Sequence, residues 1–112
     1  ADKEPGNVEL SAYADKIGRS ALKADINYVA GWIVAKMATE ALDRAGPAVS
    51  RAKLVEVLSK GFVVDSQGLA APITYTPTNN TGPVVFKLFG YDFSSDSFKA
   101  YGEYADYSKY TK

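Results

Sequence analysis

Glu40 and Asp43 stand three residues apart, a spacing that puts two carboxylates on one side of a helix. Two converging carboxylates are the minimum equipment for acid–base hydrolysis, as in glycoside cleavage. Lys36 and Arg44 flank them, and that mixture of signs reads as a solvated charged face instead. Asp92, Asp96 and Glu103 offer further oxygen atoms, but without the odd-position spacing and central glycine of a calcium loop. The chain has no His and no Cys. Ser-His-Asp and Cys-His constellations, thiol catalysis and zinc–cysteine sites are thereby excluded. Gly18-Arg19-Ser20 and Asp65-Ser66-Gln67-Gly68 are turn signals, because no base accompanies either serine. Asn79-Asn80-Thr81 matches the glycosylation acceptor pattern, in a stretch so rich in Asn and Thr that the match reads as chance. The reading is of a chain that is not an enzyme and calls for no cofactor or metal.

Aromatic side chains are the better candidates for recognition. Tyr28 and Trp32 are i,i+4 neighbours beside Asn27 and Gly31, and Gly31 leaves room for a ligand or a backbone to approach closely. Flat apolar area at a helix start serves either core packing or a binding surface. Asn27, Tyr28, Gly31 and Trp32 are the residues singled out for the second role. Tyr101, Tyr104, Tyr107 and Tyr110 recur every three residues. On a 3.6-residue helix such a series spreads around the cylinder, so a tail docking its rings on apolar surface is the reading here.

These side chains need elements to hold them. Residues 1–7 read as a loose start, and Val8, Leu10, Tyr13, Ile17 and Leu22 as a first helical pattern that Gly18 and Arg19 interrupt. The strongest periodicity covers residues 26–45, where Ile33, Val34, Met37, Ala41 and Leu42 fall on one stripe. Asp25 fits its N-cap, Gly46 its C′ position, and Pro47 forbids continuation. A further helix runs from the Ser50 cap to Gly61, with Glu56 and Lys60 as an i,i+4 pair.

From Phe62 the period becomes two. Ile73–Tyr75 and Val84–Phe89 alternate, joined by the turn-rich residues 77–83, and read as a hairpin; Phe98 marks another short strand. The fold class is therefore α/β, helices followed by a short β-hairpin or sheet. A long apolar helix and a few strands leave Trp32, Phe62, Ile73, Phe86 and Phe89 in want of a partner sheet.

The 112 residues suffice for one domain with a modest core. Lys and Arg together number 13, as do Asp and Glu, and a chain with no net positive charge is a poor nucleic-acid binder. No apolar run reaches the length of a membrane span. The chain begins at Ala1 with no basic-then-apolar leader, and the expectation is a processed export protein or a piece of a longer one.

Three stretches taken together resemble one family. They are YVAGWIVAKMATEALDRAG at 28–46, SRAKLVEVLSKG at 50–61, and GLAAPITYTPTNNTGPVVFKLFGYD at 68–92. Their order and spacing are similar to the C-terminal part of type I periplasmic solute-binding proteins of ABC transporters, the group like the branched-chain amino acid receptors. The resemblance spans roughly residues 8–104. It implies that residues 1–112 form a single unit, an incomplete fragment of a larger two-lobed binding protein. It implies a small amino acid or organic or aromatic acid as ligand, an ABC permease as partner, and a periplasmic or extracellular location. Family ligand contacts fall at positions matching Asn27 and Tyr28, with Gly31 and Trp32 close by. The segment around Pro72–Thr76 would lie near the hinge between lobes, and the Val84–Phe89 strand would complete a sheet of the larger assembly. As an isolated chain the protein is expected to be a homodimer. The other reading is a small structural or interaction protein that oligomerises through its strands.

Overall fold

Pro5 opens the first helix, where its fixed φ suits the first turn and its missing N–H costs nothing. The computed structural model describes residues 3–107. Helix α1 (Pro5–Lys16) starts inside the stretch expected to be a loose terminus, and a 3₁₀ segment, Ser20–Ala24, follows it. Asp15 ties that segment back to α1, accepting from Ser20 Oγ at 2.5 Å and Lys23 Nζ at 2.6 Å. Lys23 first, and then Ser20, hold its carboxyl below the ordinary carboxylate range.

Helix α2 (Ile26–Ala45) has the bounds its sequence signals predict. The Asp25 carboxylate accepts from the Asn27 N–H at 2.8 Å and the Tyr28 N–H at 3.4 Å. Gly46, at φ 74°, donates its N–H to the Leu42 carbonyl and ends the helix. In α3 (Arg51–Ser59) the Ser50 hydroxyl accepts from the Lys53 N–H at 3.1 Å, and Glu56 pairs with both Lys53 and Lys60.

The strands pair differently from expectation. β1 (Phe62–Val64) pairs antiparallel with β2 (Ile73–Tyr75), and β3 (Val85–Asp92) pairs antiparallel with β4 (Ser97–Asp106). The two alternating runs expected to form one hairpin thus belong to two separate two-stranded sheets. The connector explains why. Asn79 Nδ2 donates to the Thr74 and Gly82 carbonyls, its Oδ1 accepts from Thr81, and Thr76 and Asn79 exchange backbone hydrogen bonds. The loop closes on itself around Asn79 and sends the chain away from β2. The amide nitrogen of the acceptor-pattern asparagine is thereby engaged in holding the fold.

Burial follows this pairing. Phe62, Val64 and Ala41 form the main cluster, with Met37, Leu54, Leu58 and Tyr75 packed around it. Leu10 and Ala14 of α1 are fully buried apart from that cluster, where Gly6 donates its N–H to the Gln67 carbonyl at 3.0 Å. Phe62 and Ile73, expected to want a partner sheet, find their cover inside the chain. Phe86 and Phe89 do not: both are more than half exposed. β3 and β4 form an arm whose substantial contacts are only with each other. β4 is longer than the short strand expected around Phe98, and it carries Tyr101 and Tyr104. Tyr107 follows the strand end, and Tyr101, Tyr104 and Tyr107 are each about half exposed, so these three sit in and beside a strand instead of in a docked tail; Tyr110 lies outside the described residues. Between Phe86 and Leu88 the register slips, and Gly102, at φ 72°, takes up the extra residues on β4.

Candidate functional site

The four candidate residues sit in the first two turns of α2 as two i,i+4 pairs. Asn27 and Gly31 share an exposed face, and a Cβ built on Gly31 would meet nothing within 4 Å. Tyr28 and Trp32 share the adjoining, half-buried face, with ring centroids 6.4 Å apart and planes tilted by 42°. Tyr13 of α1 completes the cluster, its ring 5.2 Å from that of Trp32. The structure therefore brings Tyr28 and Trp32 together and leaves Asn27 and Gly31 on open surface beside them. The Tyr28 hydroxyl and the Trp32 indole N–H are enclosed, with no hydrogen-bond partner among the described residues. A buried polar group left in that condition costs free energy, and such groups are uncommon in folded proteins.

Trp32 also walls a cleft of about 610 Å³ between α1, α2 and the end of β1. Lys36, Glu40 and Arg44 continue from Trp32 at four-residue steps along α2, and Glu9, Asp65 and Gln67 close the other side. Lys36 Nζ meets Glu9 Oε2 at 2.5 Å, and Arg44 Nε meets Glu40 Oε1 at 2.8 Å. Arg44 also donates to the Val63 carbonyl and lies 4.8 Å over the Phe62 ring. Of the charged face, Lys36, Thr39, Glu40 and Arg44 line the cleft, with Glu40 and Arg44 still about half exposed, whereas Asp43 is exposed and outside it. Glu40 is engaged by Arg44.

The step of four from Trp32 to Arg44 was visible in the sequence. The Glu9–Lys36 pair, separated by 27 residues, was not. Chemically the cleft offers paired charges of both signs next to an aromatic wall, an arrangement suited to holding a small polar molecule with some flat apolar area. Among the described residues no group of three His, Cys, Asp or Glu side chains could hold a metal ion. No helix there is long and apolar enough to cross a membrane. Comparison with family models, curated proteins and solved structures found no match to the chain.

Proposed function

We propose that the chain is the C-terminal portion of an exported two-lobed solute receptor of the type I periplasmic class. In this reading it helps bind a small amino acid or organic or aromatic acid for delivery to an ABC permease. The observation that carries the proposal is the pair of enclosed, unpartnered polar atoms on Tyr28 and Trp32, beside the unobstructed Gly31. An aromatic cluster that only filled space would gain nothing from a phenol and an indole N–H in those places. The sequence resemblance, spanning roughly residues 8–104, is what supports the receptor class.

The test begins with the reading frame upstream of Ala1. Its product, expressed whole, is screened by thermal shift against the L-amino acids and a panel of small aromatic carboxylates. A raised melting temperature with one of these classes, reduced about tenfold in affinity by Tyr28→Ala with the fold intact, is the expected result. A full-length product that responds to none of them, or an unchanged affinity in Tyr28→Ala, removes the proposal. One observation favours the second reading, a structural or interaction protein: the β3–β4 arm exposes aromatic side chains on both faces.

A further inference from the structure

The chain carries two apolar surfaces that do not meet. The first is a groove of about 450 Å³ on the α2–α3 side, floored by Ala38 and Ala41 and walled by Met37, Leu42, Leu54 and Leu58. The second is the β3–β4 arm. On one face of the arm Phe86 and Leu88 alternate along β3, and Leu88 stands opposite Tyr101. All three are more than half exposed, Leu88 at 71%. The other face carries the Lys87–Glu103 pair beside Phe86 and Leu88 in the chain, whereas on the Phe86–Leu88 face the charged pair, Asp92–Lys99, lies toward the turn end of the arm.

A two-stranded hairpin alone is marginal in water and needs a third strand or a helix to pack against. The arm makes no substantial contact with α2 or α3, so it does not fill the chain's own groove. The total area fits the same conclusion. The chain exposes 8152 Å² at 12.0 kDa, where an ordinary folded monomer of that mass exposes about 6,000 Å². The excess, on the order of 2,000 Å² per chain, falls in the range that permanent dimers bury.

We propose that two copies of this chain exchange arms, the Phe86–Leu88–Tyr101 face of each β3–β4 arm lying in the α2–α3 groove of the other. Reciprocal exchange about a two-fold axis satisfies both surfaces in both copies and closes the assembly at two. The inference concerns these 112 residues as they stand and does not depend on the solute-receptor reading.

Sedimentation equilibrium of the chain at micromolar concentration is expected to give twice the 12.0 kDa chain mass. Leu88→Lys on the arm and Leu42→Lys in the groove both change exposed side chains, and each should weaken the dimer at least about tenfold while the helical signal in circular dichroism stays unchanged. Because the chain has no Cys, disulfide trapping reports the partner directly. A mixture of Leu42→Cys chains and Leu88→Cys chains should yield the mixed disulfide, and neither variant alone should cross-link. A monomer at about 100 µM, well above the dissociation constants of specific complexes, overturns the proposal. So does a dimer that forms no mixed disulfide, or one in which Leu88→Cys chains cross-link to each other, which would mean arm-to-arm pairing. A disulfide within one chain carrying both substitutions would mean that the arm folds onto its own groove, and overturns it equally.

Discussion

At the scale of single residues, the tightest constraint is at Gly6. It is buried where α1 crosses the 66–69 loop, and a Cβ there would fall on the Ser66 carbonyl oxygen. Backbone cannot swing aside as a side-chain end can, so Gly6→Ala should cost about 1–3 kcal/mol in urea unfolding. An unchanged midpoint would show that α1 can ride away from the loop at no cost. Trp32 is the chain's one tryptophan, which makes its fluorescence a clean reporter of the aromatic cluster. Tyr13 covers it at 5.2 Å. Tyr13→Ala should shift the emission to the red and raise quenching by acrylamide. If neither changes, the indole is shielded by something other than the α1 contact.

Helices α2 and α3 are held by caps at their starts and the arm by a charged turn between its strands. The Ser50 hydroxyl satisfies the Lys53 N–H at the start of α3. Ser50→Ala should lower stability by about 1 kcal/mol, read from the thermal midpoint, and Ser50→Asp should restore it. In the β3–β4 turn, Asp92 pairs with Lys99 and accepts from the Ser94 hydroxyl and backbone N–H. Lys99 first, and then Ser94, hold its carboxyl far below its ordinary value of 3.8. A depressed carboxylate pKa stabilises the folded arm above the unfolded value, and the contribution is lost as pH falls through the folded one. Asp92→Asn should therefore loosen the arm at pH 6, seen as faster amide exchange in β3 and β4. The gap between the two proteins should narrow as pH drops below about 4. A gap independent of pH would mean that the charge of Asp92 plays no part.

As a whole molecule the chain is spread out. Its radius of gyration is 16.4 Å, where a compact chain of this length has about 13 Å. Its largest extent is 53 Å and its smallest 18 Å. The main cluster around Phe62, Ala41 and Val64 is small, and Phe62 is its one large side chain buried to about 1% exposure. Phe62→Ala should cost about 3–5 kcal/mol. A core this small places the chain near the low end of the 5–15 kcal/mol that stabilises an ordinary domain, so cooperative melting should be lost or nearly so. A variant that melts within a few degrees of the parent would show that the stability resides elsewhere, in α1 or in the arm.

From the residues alone the mixed α/β class and the bounds of α2 and α3 could be read, though not the start of α1 inside the expected loose terminus. Asp25, Gly46, Ser50 and Gly61 act on neighbours within a turn, and their effects are readable wherever they stand. The sequence also determined that Tyr28 and Trp32 would meet, because i,i+4 contact is a property of the helix alone. Which strand pairs with which came from the folded backbone. Two alternating runs on either side of a turn-rich stretch look like a hairpin, but Asn79 folds that stretch on itself and gives β2 to β1 and β3 to β4. The folded backbone likewise decided that Lys36 faces Glu9 and that Phe62 and Ile73 are covered while Phe86 and Leu88 are not. Those outcomes rest on contacts between residues far apart in the chain. A side chain's type and its near neighbours specify that it will seek cover, whereas the path of the backbone decides what it finds.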